Sequence, residues 1–331
     1  MKKIGTILIA SDFQKPWNPA YYIKRGFEKN KITVHTFDPS AKENSYDALM
    51  EAVKLSAPQM LLYIKDYGLK PEWLQEIKKK GIILVQWYID PVIPDWLPPF
   101  AKVSDVFFTM SEGLVDDFKR LGVKNVFWLS QAFEPDFFNI KEITKEDIET
   151  YSADIAFVGN LGSKEQYLSR RDSLTKVIDA GFKLKWWGPK IPRKLSTIPV
   201  IFGKLGRAYG GKFVWFEEYA KVVKLSKIFL AFDSKPQIRK SMSARMYTAV
   251  GCGAFYMCRH VEGIEDILVP GKEIVTFRSE NEMIDMIRYY LKNNEARMKI
   301  AEAGTKRVLQ EHTYELRVRQ LLSIVEDVIK S

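Results

Sequence analysis

The stretch KSMSARMYTAVGCGAFYMC, residues 240–258, predicts a helix that leads directly into a strand. Its first part carries hydroxyl side chains and Arg245 on a helical repeat, and glycine closes the helix. The apolar run from Ala254 to Cys258 follows at once and predicts a buried strand. Helices that pass straight into strands are typical of α/β proteins, where they connect parallel strands.

The same alternation continues on both sides of this stretch. In the second half of the chain it predicts the strands Asp154 to Val158, Lys183 to Trp187, Lys227 to Phe232 and Glu273 to Phe277. In the first half it predicts Ile4 to Ala10, Ile32 to Phe37, Met60 to Ile64, Ile82 to Tyr88, Val106 to Thr109 and Val126 to Leu129. We therefore expect two doubly wound domains, each with helices on both faces of a parallel sheet.

The alternation is interrupted once, by a charged and weakly apolar stretch near residue 140. We predict an N-terminal domain over residues 1–140, a linker or short surface helix over 141–153, and a C-terminal domain over 154–312. From Glu280 to Lys330 the pattern predicts successive helices with breaks near Asn293 and Thr313, and the last helix covers residues 313–331.

The composition is that of a folded protein with more basic than acidic residues, and a cytoplasmic location fits it best. With 331 residues, 46% of them hydrophobic, the chain can bury more than one core. No apolar run is long enough for a signal peptide or a bilayer span. The net charge of +10 fits nucleic acid, an anionic surface or phosphate-bearing ligands. Cys252 and Cys258 lack zinc-site spacing, and the histidines are scattered, so no metal site is expected.

Ligands of open α/β sheets bind at the carboxyl ends of the strands, where loops and helix N-termini present unpaired N–H groups. Ser243 and Arg245 stand near the start of the helix quoted above, and both suit a diphosphate. Arg170 either reaches the same phosphates or lies on a solvated helix face. Trp187 ends a strand, and it either lines a base pocket or packs in the core.

Two acidic residues of the first half are candidates for a general base. Asp12 and Asp90 each follow an apolar strand, so their carboxylates are expected at the functional edge of the first sheet. Asp12 equally suits the cap of the next helix, and the Asp90–Pro91 pair equally suits a turn.

Several motifs occur together in the order and spacing of a known family. The clear matches are Ser243 to Ala254, Glu262 to Asp266, Val269 to Ile274 and Ala303 to Tyr314; the looser ones are Trp87 to Pro91, Asp105 to Ser111 and Asp154 to Asn160. On these motifs the chain resembles the glycosyltransferases of the GT-B fold, and within them the group 1 set that includes the CgeB-like spore-maturation proteins. The resemblance is strong over residues 154–314 and weak before residue 82.

The resemblance implies two Rossmann-like domains that face a central cleft, with a helical C-terminal end. It implies sugar transfer from a nucleotide-sugar donor, taken as UDP-linked, with the donor on the C-terminal domain and the acceptor on the N-terminal one. No metal or further cofactor is implied, because backbone N–H groups and Arg245 can neutralise the leaving diphosphate. The predicted donor-site residues are Gly159, Asn160, Arg170, Trp187, Ser243, Arg245, Tyr247 and Thr248.

The chain departs from many retaining relatives, which carry two glutamates around this helix. Thr248 occupies the place of the second glutamate, which binds the donor ribose, and Lys240 occupies the place of the first. Thr248 still offers a hydroxyl to a ribose, but the choice between inversion and retention stays open.

Two other functions stay open on the sequence. The basic charge fits a protein that binds nucleic acid or an anionic surface, although acidic residues interleave with the cations of the last helices, so we expect no nucleic-acid partner. A GT-B-shaped epimerase would share the donor site and rearrange the sugar without an acceptor. A protein, a lipid-linked saccharide and a polysaccharide are all admissible acceptors, and peripheral membrane contact also stays open.

Overall fold

The computed structural model describes residues 4–41, 45–162 and 167–330, and of Ser196 it describes the backbone only. The chain forms two compact units. The first contains the residues up to Glu134, the segment Gln237–Met242, and the chain from His312 onward. The second contains Pro135–Pro236 and Ser243–Glu311.

The first unit is built on a parallel sheet with helices on both of its faces. Its strands are β1 (Thr6–Ala10), β2 (Thr33–Phe37), β3 (Met60–Tyr63), β4 (Ile83–Tyr88), β5 (Val106–Thr109) and β6 (Val126–Trp128). Its first helices are α1 (Pro19–Lys29), α2 (Tyr46–Ser56), α3 (Pro71–Lys79), α4 (Leu97–Val103) and α5 (Val115–Arg120), the last preceded by a 3₁₀ turn, Glu112–Leu114. The strand order is β2-β1-β3-β4-β5-β6.

The second unit is also built on a parallel sheet. Its strands are β7 (Ala153–Val158), β8 (Leu184–Trp187), β9 (Ser226–Ala231), β10 (Tyr256–Arg259) and β11 (Val275–Phe277), in the order β11-β10-β9-β7-β8. Its helices are α6 (Lys145–Tyr151), α7 (Leu168–Asp179), α8 (Ile198–Phe202), α9 (Lys204–Arg207), α10 (Phe216–Lys224), α11 (Ala244–Gly251), α12 (Glu280–Lys292) and α13 (Asn294–Glu311). Its 3₁₀ turns are Pro135–Phe137, Leu195–Thr197 and Ile264–Asp266.

The last helix, α14 (Tyr314–Lys330), belongs to the first unit. Its buried side chains Tyr314, Val318, Leu321 and Val325 join the core formed by α1 and one face of the first sheet. A Cβ at Gly26 of α1 would lie 2.7 Å from the carbonyl oxygen of Tyr314. Glycine at this position therefore allows α1 and α14 to pack in direct backbone contact.

Local sequence explains where several helices begin. The Asn18 side chain accepts the N–H of Ala20 at 3.0 Å and so caps α1. Thr144 and Asp147 form a reciprocal capping box at the start of α6. These contacts satisfy N–H groups that have no partner within the helix, so they set the first residue of each helix.

The predicted α/β class is confirmed, and all eleven predicted strands are present with boundaries shifted by at most two residues. The helical C-terminal end is also confirmed, with breaks where Asn293 and Thr313 predicted them. No helix in the described parts of the chain is both long and apolar enough to cross a bilayer.

The segment Gln237–Met242 packs into the first unit, an excursion that no pattern in the sequence signals. Glu112 binds both cations of this segment: it accepts from Nε of Arg239 at 2.6 Å and from Nζ of Lys240 at 2.9 Å. Nζ of Lys240 also lies 4.7 Å from the centre of the Trp128 ring. Lys240 is therefore held by a carboxylate and an aromatic face in the first unit.

Candidate active site

The strand order of the second sheet creates a topological switch point between β7 and β9. From β7 the chain passes to β8 on one side and later to β9 on the other, so the loops diverge here. Gly159 follows β7, and Asp233 lies in the loop after β9. Ligands of parallel sheets bind in the crevice outside such diverging loops. A ligand site is therefore expected at this edge of the second unit.

The start of α11 is held next to Asp233. The backbone N–H of Ser243 donates to Oδ1 of Asp233 at 3.1 Å. Ser243 is the N-cap residue, yet its hydroxyl does not cap the helix, and its buried Oγ has no hydrogen-bond partner among the described residues. A buried polar group left without a partner costs about 1–3 kcal/mol. A ligand that hydrogen-bonds this hydroxyl would remove that cost.

Two guanidinium groups occupy the same edge. Arg170 lies in the first turn of α7 and Arg245 in the first turn of α11. Burial, together with the neighbouring positive charge of Arg245, lowers the pKa of Arg170 to about 10. Nε of Arg170 is buried without a partner in the described chain. Nη1 of Arg245 reaches the carbonyl oxygen of Phe232 at 3.5 Å, a weak contact.

An anion is the ligand that this arrangement favours. A buried guanidinium nitrogen without a hydrogen-bond partner is costly, and a second cation beside it adds repulsion. A diphosphate would offset both the cost of burial and the repulsion between the cations. Its oxygens accept charge-assisted hydrogen bonds from guanidinium groups and from helix N–H groups. The hydroxyl of Tyr256 also has no described partner, but its side chain is completely buried, so it lies beneath this edge.

Two glycines bring the backbone close to Arg245. A Cβ at Gly159 would lie 2.8 Å from the Phe157 ring and 3.2 Å from Nη2 of Arg245. A Cβ at Gly188 would lie 2.1 Å from the carbonyl oxygen of Gly159. The N–H of Gly159 donates to the carbonyl of Trp187 at 2.9 Å. The loop after β7 is thus pressed against the end of β8, and any larger side chain would displace it.

Gly188→Ala should lower the free energy of unfolding by about 1–3 kcal/mol, the usual cost of overpacking, because the new methyl group meets backbone that cannot rotate away. Urea denaturation measures the change. Gly5→Ala is the matched control, since its Cβ would lie 3.6 Å from Oε1 of Gln59, an ordinary contact. Equal losses in the two variants would contradict the close approach of Gly188 to Gly159.

The structure brings four of the predicted donor-site residues together: Gly159, Arg170, Ser243 and Arg245. Asn160 lies beside them, but its Oδ1 accepts the N–H of Gly162 at 2.7 Å and so shapes the loop. Thr248 lies one turn beyond Arg245 on α11 and is half-buried.

Trp187 and Tyr247, the other two predicted donor-site residues, are completely buried. The indole of Trp187 packs against Gly210, where a Cβ would lie 2.2 Å from Nε1, and its ring centre is 6.4 Å from that of Tyr151. The structure therefore places both rings in the core beneath the site, and neither ring lines its surface.

Three residues at or beneath this edge do not stand out in the sequence: Asp233, Tyr256 and Gly188. Asp233 comes shortly after an apolar strand, as Asp12 and Asp90 do, so the rule that singled out those two would have found it. Tyr256 lies inside an apolar strand, where an aromatic residue indicates core, and no pattern signals its hydroxyl.

The carboxyl edge of the first sheet carries the two predicted bases. Both oxygens of Asp12 are engaged, by the N–H of Gln14 at 3.0 Å and by Nζ of Lys15 at 3.0 Å. Oδ2 of Asp90, which follows β4, pairs with Lys65, which follows β3. The side chain of Asp90 is 41% exposed, whereas that of Asp12 is 6% exposed. Asp90 is therefore the carboxylate more open to a ligand.

Comparison with known proteins bears on both units. Residues 170–323 match the family described as glycosyl transferase-like. The chain is 21% identical over 305 residues to the spore protein CgeB of Bacillus subtilis strain 168, covering 89% of this chain and 91% of that one. The fold matches the catalytic domain of starch synthase IV from Arabidopsis thaliana bound to ADP and acarbose, with TM-score 0.70, 10% identity and 100% of both chains covered. It also matches Anabaena HepE in complex with UDP-glucose, with TM-score 0.63, 11% identity, and 98% of this chain and 100% of that one covered.

The family match and the fold agree with the motifs of the sequence. The chain has the GT-B fold, and its segment 170–323 matches the glycosyl transferase-like family. The matched segment begins at Arg170 and includes α11, so it contains most of the edge described above. Among the residues that the structure describes, no three His, Cys, Asp or Glu side chains are grouped to hold a metal ion.

Proposed function

We propose that this protein is a glycosyltransferase, which transfers a sugar from a UDP-sugar to an acceptor bound by the first unit, with no metal ion at the donor diphosphate. The observation that carries the proposal is the pair of guanidinium groups, Arg170 and Arg245, beside the unused hydroxyl of Ser243. Together with the N-terminus of α11 they supply hydrogen-bond donors and the positive charge that a divalent ion supplies in other enzymes.

Each of these groups has a role in the proposed transfer reaction. The bond between the anomeric carbon and the diphosphate oxygen breaks, and the diphosphate leaves with the electron pair. Arg170 and Arg245 stabilise the charge that develops on it, and such donors are most effective when they are already in place before the reaction. The acceptor hydroxyl oxygen forms the new bond to the anomeric carbon and gives up its proton.

Asp90 is the proposed acceptor of that proton. Its Oδ1 has no partner among the described residues, while Lys65 holds Oδ2 and fixes the orientation of the carboxylate. Asp12 is the weaker candidate, because both of its oxygens are already engaged and its side chain is buried. A base needs an oxygen within hydrogen-bond reach of the acceptor hydroxyl, and Asp90 meets that condition better.

UDP is proposed as the nucleotide on similarity. HepE was solved with UDP-glucose, and the group 1 resemblance favours the same nucleotide. Starch synthase IV was solved with ADP, so the fold is compatible with more than one base.

Thermal unfolding in the presence of UDP, GDP, CDP, TDP, ADP and NAD tests the donor site. A ligand that binds only the folded state adds about 2.7 kcal/mol at 100 times its Kd, which corresponds to an increase of about 4 °C in Tm for a chain of this length. We expect UDP to produce the increase, EDTA to leave it intact, and uridine to produce much less, because the diphosphate is the group that the arginines bind.

Three results would contradict the proposal in different ways. An increase in Tm that disappears with EDTA would mean that a metal ion holds the diphosphate. An increase with NAD alone would point away from sugar transfer. A rearranged sugar nucleotide, formed without any acceptor, would identify an epimerase instead.

A further inference from the structure

A basic stretch of the second unit lies outside the candidate active site. Between Ala180 and Phe216 the sequence contains eight lysine and arginine residues and no aspartate or glutamate. The middle of this stretch folds as the 3₁₀ turn Leu195–Thr197 followed by α8 and α9. A run of this length with a single sign of charge creates a local positive field, which the net charge of the whole chain does not reveal.

The inner side of this stretch is anchored to the core. Leu205 is buried in the core of the second unit, and its carbonyl accepts from Nε1 of Trp186 at 2.7 Å. The buried Thr197 hydroxyl donates to the carbonyl of Pro192 at 2.5 Å and ties the preceding loop to the start of α8. A Cβ at Gly206 would lie 1.7 Å from the carbonyl oxygen of Ile201, so α8 and α9 are in close backbone contact. The outer side chains therefore project from a fixed support.

The outer side carries a row of exposed apolar side chains. Leu195 is 88% exposed, Ile198 is 44% exposed and Phe202 is 77% exposed. They are spaced by three and four residues, which places them on one face of a helical turn. Large apolar side chains so exposed are costly in water, and a contiguous group of them marks an interaction surface. We call Leu195, Ile198 and Phe202 the apolar row.

Several cations around the apolar row have no acidic partner. Lys204 pairs with Asp179, and Lys212 pairs with Glu218 at 2.5 Å. Among the described residues, no carboxylate forms an ion pair with any of the exposed cations Lys190, Arg193, Lys194 and Arg207. The partner of this surface must therefore accept apolar side chains and supply negative charge at the same place.

We propose that this surface, the apolar row with Lys190, Arg193, Lys194 and Arg207, docks on an anionic lipid bilayer. Apolar side chains insert among the acyl chains at the interface while lysine and arginine bind the acidic headgroups. Nucleic acid would use the cations but offers no apolar phase for Leu195 and Phe202. A second copy of the same surface would place like charges opposite one another, because the stretch contains no carboxylate.

Vesicle co-sedimentation tests the proposal without any need for enzymatic activity. The full chain is mixed with vesicles of phosphatidylcholine alone, or with vesicles in which a third of the lipid is phosphatidylglycerol. We expect binding to the second kind only, and weaker binding as salt is added, because added ions screen the headgroup charge.

Two variants separate the apolar and electrostatic contributions. Leu195→Ser with Phe202→Ser should weaken binding about tenfold or more, and the matched control Leu55→Ser, at a residue 78% exposed on the first unit, should not. Lys190→Gln with Arg193→Gln should weaken it roughly 25-fold, about fivefold for each charge. Lys80→Gln with Lys299→Gln removes two exposed lysines elsewhere and should have a much smaller effect.

Specific results would contradict docking on an anionic bilayer. Failure of the parent to bind phosphatidylglycerol vesicles would overturn it, as would binding that both surface variants retain in full. A different result would identify an interface between copies of the chain. In that case the parent would not bind vesicles, its molecular mass in solution would increase with concentration, and Leu195→Ser with Phe202→Ser would abolish that increase. Since all replaced side chains are exposed, each variant should keep the Tm of the parent, which confirms that it is folded.

Discussion

Arg245→Ala should lower kcat/KM for sugar transfer by roughly 30- to 900-fold, equivalent to about 2–4 kcal/mol of transition-state stabilisation. The guanidinium lies against the loop after β7 and beside Arg170, where the charge of the leaving diphosphate would develop. Alanine removes a charged donor from a partly buried site, where water replaces it poorly. Release of UDP from the donor, followed with and without candidate acceptors, measures the loss.

The control for this variant is another arginine of the second unit. Arg288→Ala removes an exposed guanidinium that pairs with Asp285 on the surface of α12, and it should leave the rate nearly unchanged. The Tm increase caused by UDP should also shrink in Arg245→Ala and persist in Arg288→Ala. A rate for Arg245→Ala within about twofold of the parent would remove this residue from the mechanism.

Asp90→Asn should lower kcat by about 10²–10⁴-fold while leaving nucleotide affinity nearly intact. The amide keeps the size of the carboxylate but cannot take up the acceptor proton. The donor nucleotide is proposed to bind the second unit, so removal of a base on the first unit should spare it. Single-turnover rates and the UDP-induced increase in Tm, measured on the same variant, separate the two effects.

Two neighbouring variants show whether the loss of turnover is due to the carboxylate of Asp90 itself. Asp95→Asn changes an exposed acid in the same loop and should have little effect on turnover. Lys65→Met removes the ion-pair partner of Asp90 and should reduce kcat less than Asp90→Asn does, because the base remains but is less well oriented. An unchanged rate in Asp90→Asn would mean that Asp90 and Pro91 serve only to form a turn. Loss of UDP binding would instead mean that the two units have been given the wrong roles.

The strands were predictable because burial on both faces of a parallel sheet requires short, continuous apolar runs. Ile83–Tyr88 and Ser226–Ala231, for example, each contain four or five buried residues in succession. The helix breaks at Asn293 and Thr313 were predictable for a similar local reason, since polar residues there interrupt the helical repeat. These signals depend on neighbours in the chain, so one sequence is enough to read them.

The candidate site was predictable only in part. Ser243 and Arg245 were found because the start of a helix after a strand is a general position for binding anions. The hydrogen bond from Ser243 to Asp233 joins residues ten positions apart, and the ion pair between Asp90 and Lys65 joins two different strand ends. The hydrogen bond depends on the path of the loop between β9 and α11, and the ion pair depends on strand order; the apolar runs specify neither.

By itself, the sequence determined the class of fold, the positions of the strands and the family motifs, because each of these is encoded over short distances along the chain. Only the tertiary structure decided that α14 packs against α1, that Gln237–Met242 joins the first unit, and that Arg170 lies near Arg245. The physical reason is the same in all three cases. Which apolar faces meet, and which charges become neighbours, depends on packing between elements far apart in sequence.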